Sequence, residues 1–513
     1  MTTAAIRICV PVTVERLSEL PSAVNQAAEF ADIVELRLDY LQIDELENLI
    51  GSLRSLISEA LRPLILTLRP VDQGGRSHLD LSHRLEFWFQ ILKTGDCYFD
   101  LELDVVEQLV GRQATVDWGR IICSHHDFSG VPANLEGIYQ QLSATPAGLV
   151  KIAVAAKDAV DCVAVFHLLD RGRNERRRTI AIAMGEAGQM TRILGPARGS
   201  FLTYASTGNE RATAPGQTTA REIRELYRIH SVNPKTAITG LIGNPVSHSI
   251  SPDIHNPAFA QREINAVYIP FEVHDADAFL RRMIHPRSRE IDWNLRGLSV
   301  TAPHKLAVLK HLDWIDPAAG EIGAVNTIVV QGRELHGYNT DAEAFIEPLR
   351  RTLGSLKGLR CAIIGAGGAA RAALWALRKE RAKLALFVRN QEGSQQLAKE
   401  FDATCKPICE ADFNGFDVIV NATPLGTRGR LEDETPATAA QMGNVRLVYD
   451  LVYNPLETRF LSEARAAGCK RLAGLEMLVT QAAAQFKLWT DKTPDVEVMR
   501  SAAINALSRE SKH

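Results

Sequence analysis

The sequence contains no run of 18 apolar residues, so nothing in it reads as a membrane-spanning helix and no membrane partner is expected. It also lacks an excess of either charge. Its 58 Lys and Arg stand against 61 Asp and Glu, for a net charge of −3, which leaves no electrostatic footprint for nucleic acid. No short-period repeat or low-complexity tract is visible. There are eight cysteines but no metal-type spacing: Cys405 and Cys409 have no second pair or histidine cluster to join, so no metal is expected. Cys97, Cys123 and Cys361 lie in apolar runs and read as small buried hydrophobes. Reduced thiols in a cytoplasmic protein are the expectation. The first residues, "MTTAAIRICVPVTV", enter a strand pattern at once and leave no room for a signal or transit peptide. The one basic cluster, "RGRNERRR" at 171–178, lies between apolar runs and reads as a solvated turn.

What is present is a chain of 513 residues, 46% apolar and 23% charged, long enough for two to four domains with full cores. Residues 1–228 repeat one rhythm. Apolar, β-branched runs appear at "IRICVPV", "DIVELRL", "PLILTLRP", "CYFDLEL", "RIICSHHDF", "GLVKIAVAA", "RTIAIAMG" and "SFLTYAS". Helical-period segments such as "LEFWFQILKTG" separate most of them. Eight strands with crossover helices in this length predict an α/β fold, a parallel (β/α)8 TIM barrel, with a doubly wound open sheet as the alternative. The polar, Pro-containing stretch "RIHSVNPKTA" reads as the end of this domain, with a linker over 229–235. A two-lobe α/β dehydrogenase-like region follows: a mixed lobe over 236–340, a Rossmann-type lobe over 341–475, and a C-terminal helical segment over 476–513 that returns to the first lobe.

In a barrel, active-site side chains stand at the C-terminal ends of the strands. The polar residues that interrupt the apolar runs fall there: Glu35 and Arg37 on the second strand, Arg69 after the third, His126 on the fifth, Lys151 on the sixth, Arg192 after the seventh and Gln217 after the eighth. One charged strand residue is unremarkable on its own; a set at equivalent ends of different strands is a site. Lys151, within "LVKIAV", is expected in an apolar cage that favours the neutral amine, which can attack a ketone to form a Schiff base. His126, with an ordinary pKa near 6.5, suits the proton transfer beside the resulting iminium. The arginines imply an anionic, hydroxyl-rich substrate.

The segments "ELRLD" (35–39), "TLRP" (67–70), "SHHDF" (124–128), "VKIAV" (150–154) and "TAPGQ" (213–217) resemble type I 3-dehydroquinate dehydratase, in the order that family shows them. The resemblance implies that Lys151 is the imine lysine and His126 the general acid and base. It implies further that Arg192 binds the substrate carboxylate, that Glu35, Arg37 and Arg69 hold hydroxyls, and that Thr213 and Gln217 come from a closing loop. Two positions depart from the family pattern. Gln73 stands where Glu is usual, a change that removes a charge expected to raise the His126 pKa, and Thr213 stands where Ser is common. Strand alternation allows only one of His125 and His126 to face the imine.

Farther along, "GAGGAAR" (365–371) follows the strand-like "CAIIG" and opens a helix, the context in which a Gly-rich turn binds a dinucleotide through Gly365, Ala366, Gly367, Gly368 and Ala369. The next strand pattern, "LALFVRN", ends on Arg389 and Asn390 rather than an acidic residue, which suits the 2′-phosphate of NADP. "NPVSHSISP" carries Ser249 and Ser251, either of which could simply cap a helix. "SVTAPHK" carries Thr301 and Lys305, "AVNT" carries Asn326, and "GYNTDA" carries Asp341. Lys305 with Asp341 makes a possible proton-handling pair.

These clusters resemble shikimate dehydrogenase over residues 238–490. The resemblance implies that Ser249, Ser251, Thr301, Asn326, Tyr453 and Gln481 bind substrate and that Lys305 and Asp341 are catalytic. It also implies that "NATPLG", with Asn421 and Thr423, and "YDLVYNPLET" lie around the nicotinamide. Ser299 stands where many members have Asn, and Ala342 where Gly is common. The two resemblances agree in chemistry: the first half would convert 3-dehydroquinate to 3-dehydroshikimate, and the second would reduce that product to shikimate with NADPH. A quinate enzyme using NAD would be expected to carry an acidic residue near 389, and a non-catalytic metabolite sensor to have lost Lys151, His126, Lys305 or Asp341. The acidic residue is absent and the four are present.

Overall fold

The computed structural model describes residues 6–93, 96–208 and 218–510. They form two compact units, Met1–Thr236 with Pro270–Asp275 and Glu290–Asn294, and the remainder of the chain. The segment read as a linker contains buried Ile229 and Val232.

In the first unit, β1 (Ile8–Val12), β2 (Ile33–Arg37), β3 (Leu64–Thr67), β4 (Tyr98–Glu102), β5 (Ile121–Asp127), β6 (Leu149–Ala155), β7 (Thr179–Met184) and β8 (Thr203–Tyr204) form one sheet in the order β7-β6-β5-β4-β3-β2-β1-β8. Every pairing between neighbours is parallel. A parallel bridge between Thr179 and Ser200, with Phe201 N–H donating to the Thr179 carbonyl at 2.8 Å, brings the two ends of the sheet together into a nearly closed barrel. Period-two alternation decides what faces inward. Ile33, Ile65, Ile122, Leu149 and Ile180 meet with Cys9 and Leu202 in an apolar plug. Two residues further along their strands, at the same parity, stand Glu35, Thr67, Ser124 and Lys151; Asp100 follows Tyr98 in the same way. The barrel is thus dry at its N-terminal end and ionic toward its C-terminal end.

The second unit holds two sheets. In the first, β9 (Ala237–Gly243), β10 (Ala266–Glu272), β11 (Leu295–Val300), β12 (Trp314–Ile315), β13 (Thr327–Gln331) and β14 (Glu334–Tyr338) are ordered β10-β9-β11-β13-β14-β12, with β13 antiparallel to both neighbours. In the second, β15 (Arg360–Ile364), β16 (Lys383–Val388), β17 (Thr404–Pro407), β18 (Val418–Asn421), β19 (Leu447–Asp450) and β20 (Lys470–Leu472) run parallel in the order β17-β16-β15-β18-β19-β20. The strand order reverses between β15 and β18, the crevice where doubly wound sheets bind nucleotides. The helices Gly474–Thr490 and Val496–Glu510 pack Leu475, Val479, Phe486, Trp489, Met499 and Ala503 against Leu241, Ile254, Phe259 and Tyr268 of the mixed-sheet lobe. Among the described residues, no helix is long and apolar enough to cross a membrane.

Candidate active sites

Lys151 points into the ionic end of the barrel and is 5% exposed. Its surroundings correct the expected apolar cage. The ammonium donates to Asp100 Oδ2 at 2.7 Å and to the Tyr204 hydroxyl at 2.8 Å, and lies 3.5 Å from Glu35 Oε1. Glu35 also accepts the Thr67 hydroxyl at 2.8 Å, so its carboxylate belongs to the frame around the lysine. Burial alone would raise the Asp100 carboxyl, but the charges of Arg69 and Lys151 hold it well below the ordinary carboxylate range. Burial, then the nearby Glu35, pushes the Tyr204 hydroxyl well up, so it stays protonated.

The arginines are also unlike one another. Arg69 pairs with Asp100 and Glu102, each at 2.6 Å, and donates to Ser124 Oγ at 2.8 Å. Arg37 forks onto Asp39 at 2.9 and 2.8 Å. Both are therefore paired with carboxylates of the protein itself, which is compatible with the expectation that they hold substrate hydroxyls while Arg192 takes the carboxylate. Arg192, on the helix Gln189–Leu194, is 1% exposed and forms no ion pair among the described residues. Among the described residues its Nε and Nη1 have no hydrogen-bond partner, and burial drops it to about 10. A buried, unpartnered guanidinium is a site prepared for an anion.

His126 lies inward on β5, two residues beyond Ser124, which is in register with Lys151. Burial first, then the charges of Arg69 and Lys151, hold it well below its ordinary value, so the imidazole is neutral. Its Nδ1 is buried without a partner. Gln73 accepts from the His126 backbone N–H at 3.1 Å, so this amide meets the histidine through its main chain. His125 is half-buried and its shift is smaller in kind, from burial alone opposed by Asp127. Thr213 and Gln217 lie outside the described residues.

Asp100, Glu102, Ser124 and Tyr204 were not singled out in the sequence, although "YFDLEL" carries a readable signal. Asp100 and Glu102 are two apart in a strand, so both must face the same side, and in a barrel that side is the interior. Burial raises Glu102 to about 7 even with Arg69 and Arg84 against it, Arg84 at 2.9 Å.

In the second unit, Lys305 donates to Asp341 Oδ2 at 2.5 Å. Asp341 begins the helix Asp341–Leu353, and Asn339 Oδ1 accepts its backbone N–H at 3.0 Å as a cap. Asn326 donates from Nδ2 to Asp341 Oδ1 at 2.7 Å and to Thr340 Oγ1 at 2.9 Å, and its Oδ1 accepts the Thr340 backbone N–H at 2.8 Å. Its amide thus holds Asp341, and the substrate contact that the sequence suggested for Asn326 would be made beside that pair. Ser249 and Ser251 are linked, Oγ to Oγ, at 3.0 Å. Thr301, Tyr453 and Gln481 are all partly buried, and Gln481 donates to the Leu478 carbonyl at 2.9 Å. One helical turn on, Gln485 is 1% exposed and far more deeply engaged.

The Gly-rich turn joins β15 to the helix Gly368–Lys379. Gly365 has φ +113° and packs so closely that a Cβ would stand 2.9 Å from the Ala422 carbonyl oxygen. A Cβ on Gly367 would meet nothing within 4 Å, so this side of the turn is open for a phosphate at the helix N-terminus. Asn421, expected at the cofactor, is fully buried beside the Gly-rich turn. It donates to Asp450 at 2.9 Å and the Leu425 carbonyl at 3.1 Å and accepts from Thr423 Oγ1 at 2.6 Å, so it shapes the turn that covers Gly365. Arg389, one residue past β16, is exposed and has no ion-pair partner among the described residues.

A family model for type I 3-dehydroquinase matches residues 8–234, one for the shikimate dehydrogenase substrate binding domain matches 241–328, and one for the shikimate 5'-dehydrogenase C-terminal domain matches 474–504. The chain is 32% identical over 507 residues to a chloroplastic bifunctional 3-dehydroquinate dehydratase/shikimate dehydrogenase of Arabidopsis thaliana, covering 94% of this chain and 82% of the relative. It is 38% identical over 287 residues to a shikimate dehydrogenase (NADP(+)) of Methanocaldococcus jannaschii, covering 54% of this chain and 100% of the relative. A crystal structure of shikimate dehydrogenase in complex with NADP+ superposes with a TM-score of 0.50 at 38% identity, over 54% of this chain and 97% of that one.

Proposed function

The chain belongs to the family of bifunctional 3-dehydroquinate dehydratases/shikimate dehydrogenases, and we propose which of its residues carry each reaction. It dehydrates 3-dehydroquinate to 3-dehydroshikimate and reduces that product to shikimate with NADPH.

For the dehydration, Lys151 attacks the substrate ketone, water leaves, and a protonated imine forms. The iminium carries the same charge as the ammonium it replaces. Asp100 and Glu35, which frame the ammonium, are therefore already placed to hold the cation through the reaction. Neutral His126 takes the proton from the carbon beside the imine and returns it to the hydroxyl that leaves as water. Water then releases the product and Lys151. Arg192 takes the substrate carboxylate, and Thr213 and Gln217 are assigned to the loop that closes over it. The observation that carries this reading is a buried lysine with its carboxylate frame on the same barrel interior as a neutral histidine.

For the reduction, bound NADPH supplies the hydride. Gly365, Ala366, Gly367, Gly368 and Ala369 form the turn for its phosphates, Thr423 lines the turn, and Arg389 meets the 2′-phosphate. Ser249, Ser251, Thr301, Tyr453 and Gln481 face the substrate. Lys305, held by Asp341, delivers the proton to the oxygen as the carbonyl is reduced. Eight free cysteines support a reducing compartment such as the cytoplasm.

Borohydride reduction in the presence of 3-dehydroquinate tests the covalent step. Ligand mass on the peptide holding Lys151 is expected. Mass on Lys157 instead, or none, refutes the assignment.

A further inference from the structure

We infer that Gln485 is a positioning residue for the reduction, the central link of a one-way hydrogen-bond chain that runs through the core from Tyr268 to the Asp341 carboxylate. The inference rests on Lys305 and Asp341 handling the proton, as proposed above.

The direction of the chain follows from groups that have no choice. A carboxylate only accepts, so Asn326 presents Nδ2 to Asp341 Oδ1; the Thr340 backbone N–H only donates, so Asn326 Oδ1 faces it. That orients the amide from both sides. Thr327 must then donate its hydroxyl to Asn326 Oδ1, at 2.8 Å. Gln485 Nε2 lies 3.3 Å from the Asn326 main-chain carbonyl, which only accepts, and 3.1 Å from Thr327 Oγ1. Gln485 therefore has one orientation as well, and its Oε1 accepts the Ser299 hydroxyl at 2.8 Å. Ser299, having donated, accepts from the Tyr268 hydroxyl at 2.8 Å.

Every donor in this chain points toward Asp341. The links come from four elements, β10, β11, the helix Gly474–Thr490 and β13, with Asn326 immediately before β13. Tyr268, Thr327 and Gln485 are at most 1% exposed, so each link is made in a dry interior where an unmet polar group is costly and aligned dipoles reinforce one another. Gln485 uses its donor on Thr327 and its acceptor on Ser299, and so links side chains of the paired strands β13 and β11. Its loss would free Thr327 and Ser299 to turn and release the Asn326 main-chain carbonyl, so the amide that holds Asp341 would keep its Thr340 contacts but lose the support of Thr327 and Gln485. Lys305 is the charged side chain within hydrogen-bonding reach of Asp341 among the described residues. His255 stacks on Tyr268 at 4.4 Å between ring centroids; burial keeps it neutral, at about 3, so it does not titrate in the range of the assay.

The test measures shikimate oxidation with NADP+ by the full chain, as kcat, KM for shikimate and the pH profile of kcat/KM, with Tm recorded for each variant. Gln485→Leu breaks the centre of the chain. Thr327→Val, nearly isosteric, breaks the next link if Gln485→Leu does not fold, and Thr327→Ser restores it. Thr327→Val is expected to lower kcat about threefold to tenfold with KM within about twofold, the effect of one hydrogen bond. The acid limb should move up by about half to one pH unit, because the carboxylate loses support for its charged form. Thr327→Ser should return both toward the parent. An unmoved acid limb in Thr327→Val, with Lys305→Ala nearly inactive, overturns the chain and leaves the proton pair standing. A Lys305→Ala variant with full activity overturns the pair itself.

Discussion

Lys305 and Gly368 meet where the catalytic and nucleotide lobes of the dehydrogenase unit come together: a Cβ on Gly368 would stand 2.8 Å from Lys305 Cδ. The first residue of the helix Gly368–Lys379 is therefore bare because the stem of Lys305, the proposed proton donor, lies across it. Its φ is not in the left-handed region, so the constraint is contact and not backbone strain. Gly368→Ala should push Lys305 out of line and lower the kcat of reduction by about tenfold to a hundredfold, since misplacement of about 1 Å at a reacting group has that scale. Dehydration should be unchanged. Steady-state kinetics of both reactions check this.

The ion pair around Lys151 makes a second prediction. Asp100→Asn keeps the shape of the side chain and removes the counter-charge to the ammonium and the iminium. Loss of one preorganised electrostatic partner costs about a hundredfold to a thousandfold in kcat. Dehydration should fall on that scale, with less trapped imine after borohydride, and the reduction should be untouched. Dehydration near the parent rate would show that Asp100 has no part in holding the cation.

Much of this arrangement is legible in the sequence, and where it is not, the reason is physical. The strands of the barrel announce themselves as apolar runs, and Glu35, His126 and Lys151 stand out as polar breaks in them. Asp100 and Glu102 are just as visible in "YFDLEL", but a strand with two carboxylates looks like a half-solvated edge until closure of the barrel turns that face inward. The apolar cage expected for Lys151 failed for the same reason. Its sequence neighbours Val150 and Ile152 face away from the barrel interior, while its neighbours in space come from β2, β4 and β8. The contacts of Arg69 and Asn421 depend on partners distant in the chain, which spacing alone does not reveal. Gln485 lies hidden behind Gln481 because both fall on one helix face, and only the packing distinguishes the buried amide from the half-exposed one.

Arg389 is expected to carry part of the choice between NADP and NAD. Arg389→Ala should raise the Michaelis constant for NADPH about tenfold to a hundredfold, the range of one charge-assisted contact, and leave NADH nearly unchanged. An equal loss with both cofactors would give Arg389 a structural role.

His255 sets a pH dependence of stability. Its pKa in the folded protein, about 3, lies below the ordinary histidine value of 6.5. The unfolded chain therefore binds the proton more readily, and stability is full above about pH 6.5 and falls as the pH drops below it. The contribution of one such residue is about 1.4 kcal/mol per pH unit. His255→Leu should flatten the fall in unfolding free energy between pH 6.5 and 5 by about that slope, measured by denaturant titration. A slope equal to the parent's would mean that His255 is not held neutral.

Two reactions run by separate residue sets in one chain are tested most directly by assaying dehydration of 3-dehydroquinate and reduction of 3-dehydroshikimate independently in full-length Lys151→Ala and Lys305→Ala. Lys151→Ala should abolish dehydration and reduce 3-dehydroshikimate at the parent rate. Lys305→Ala should lose about 10²–10⁴-fold in reduction, the worth of a positioned proton donor, and dehydrate at the parent rate. Either substitution silencing both reactions, each supplied with its own substrate, would contradict the assignment of two independent sites.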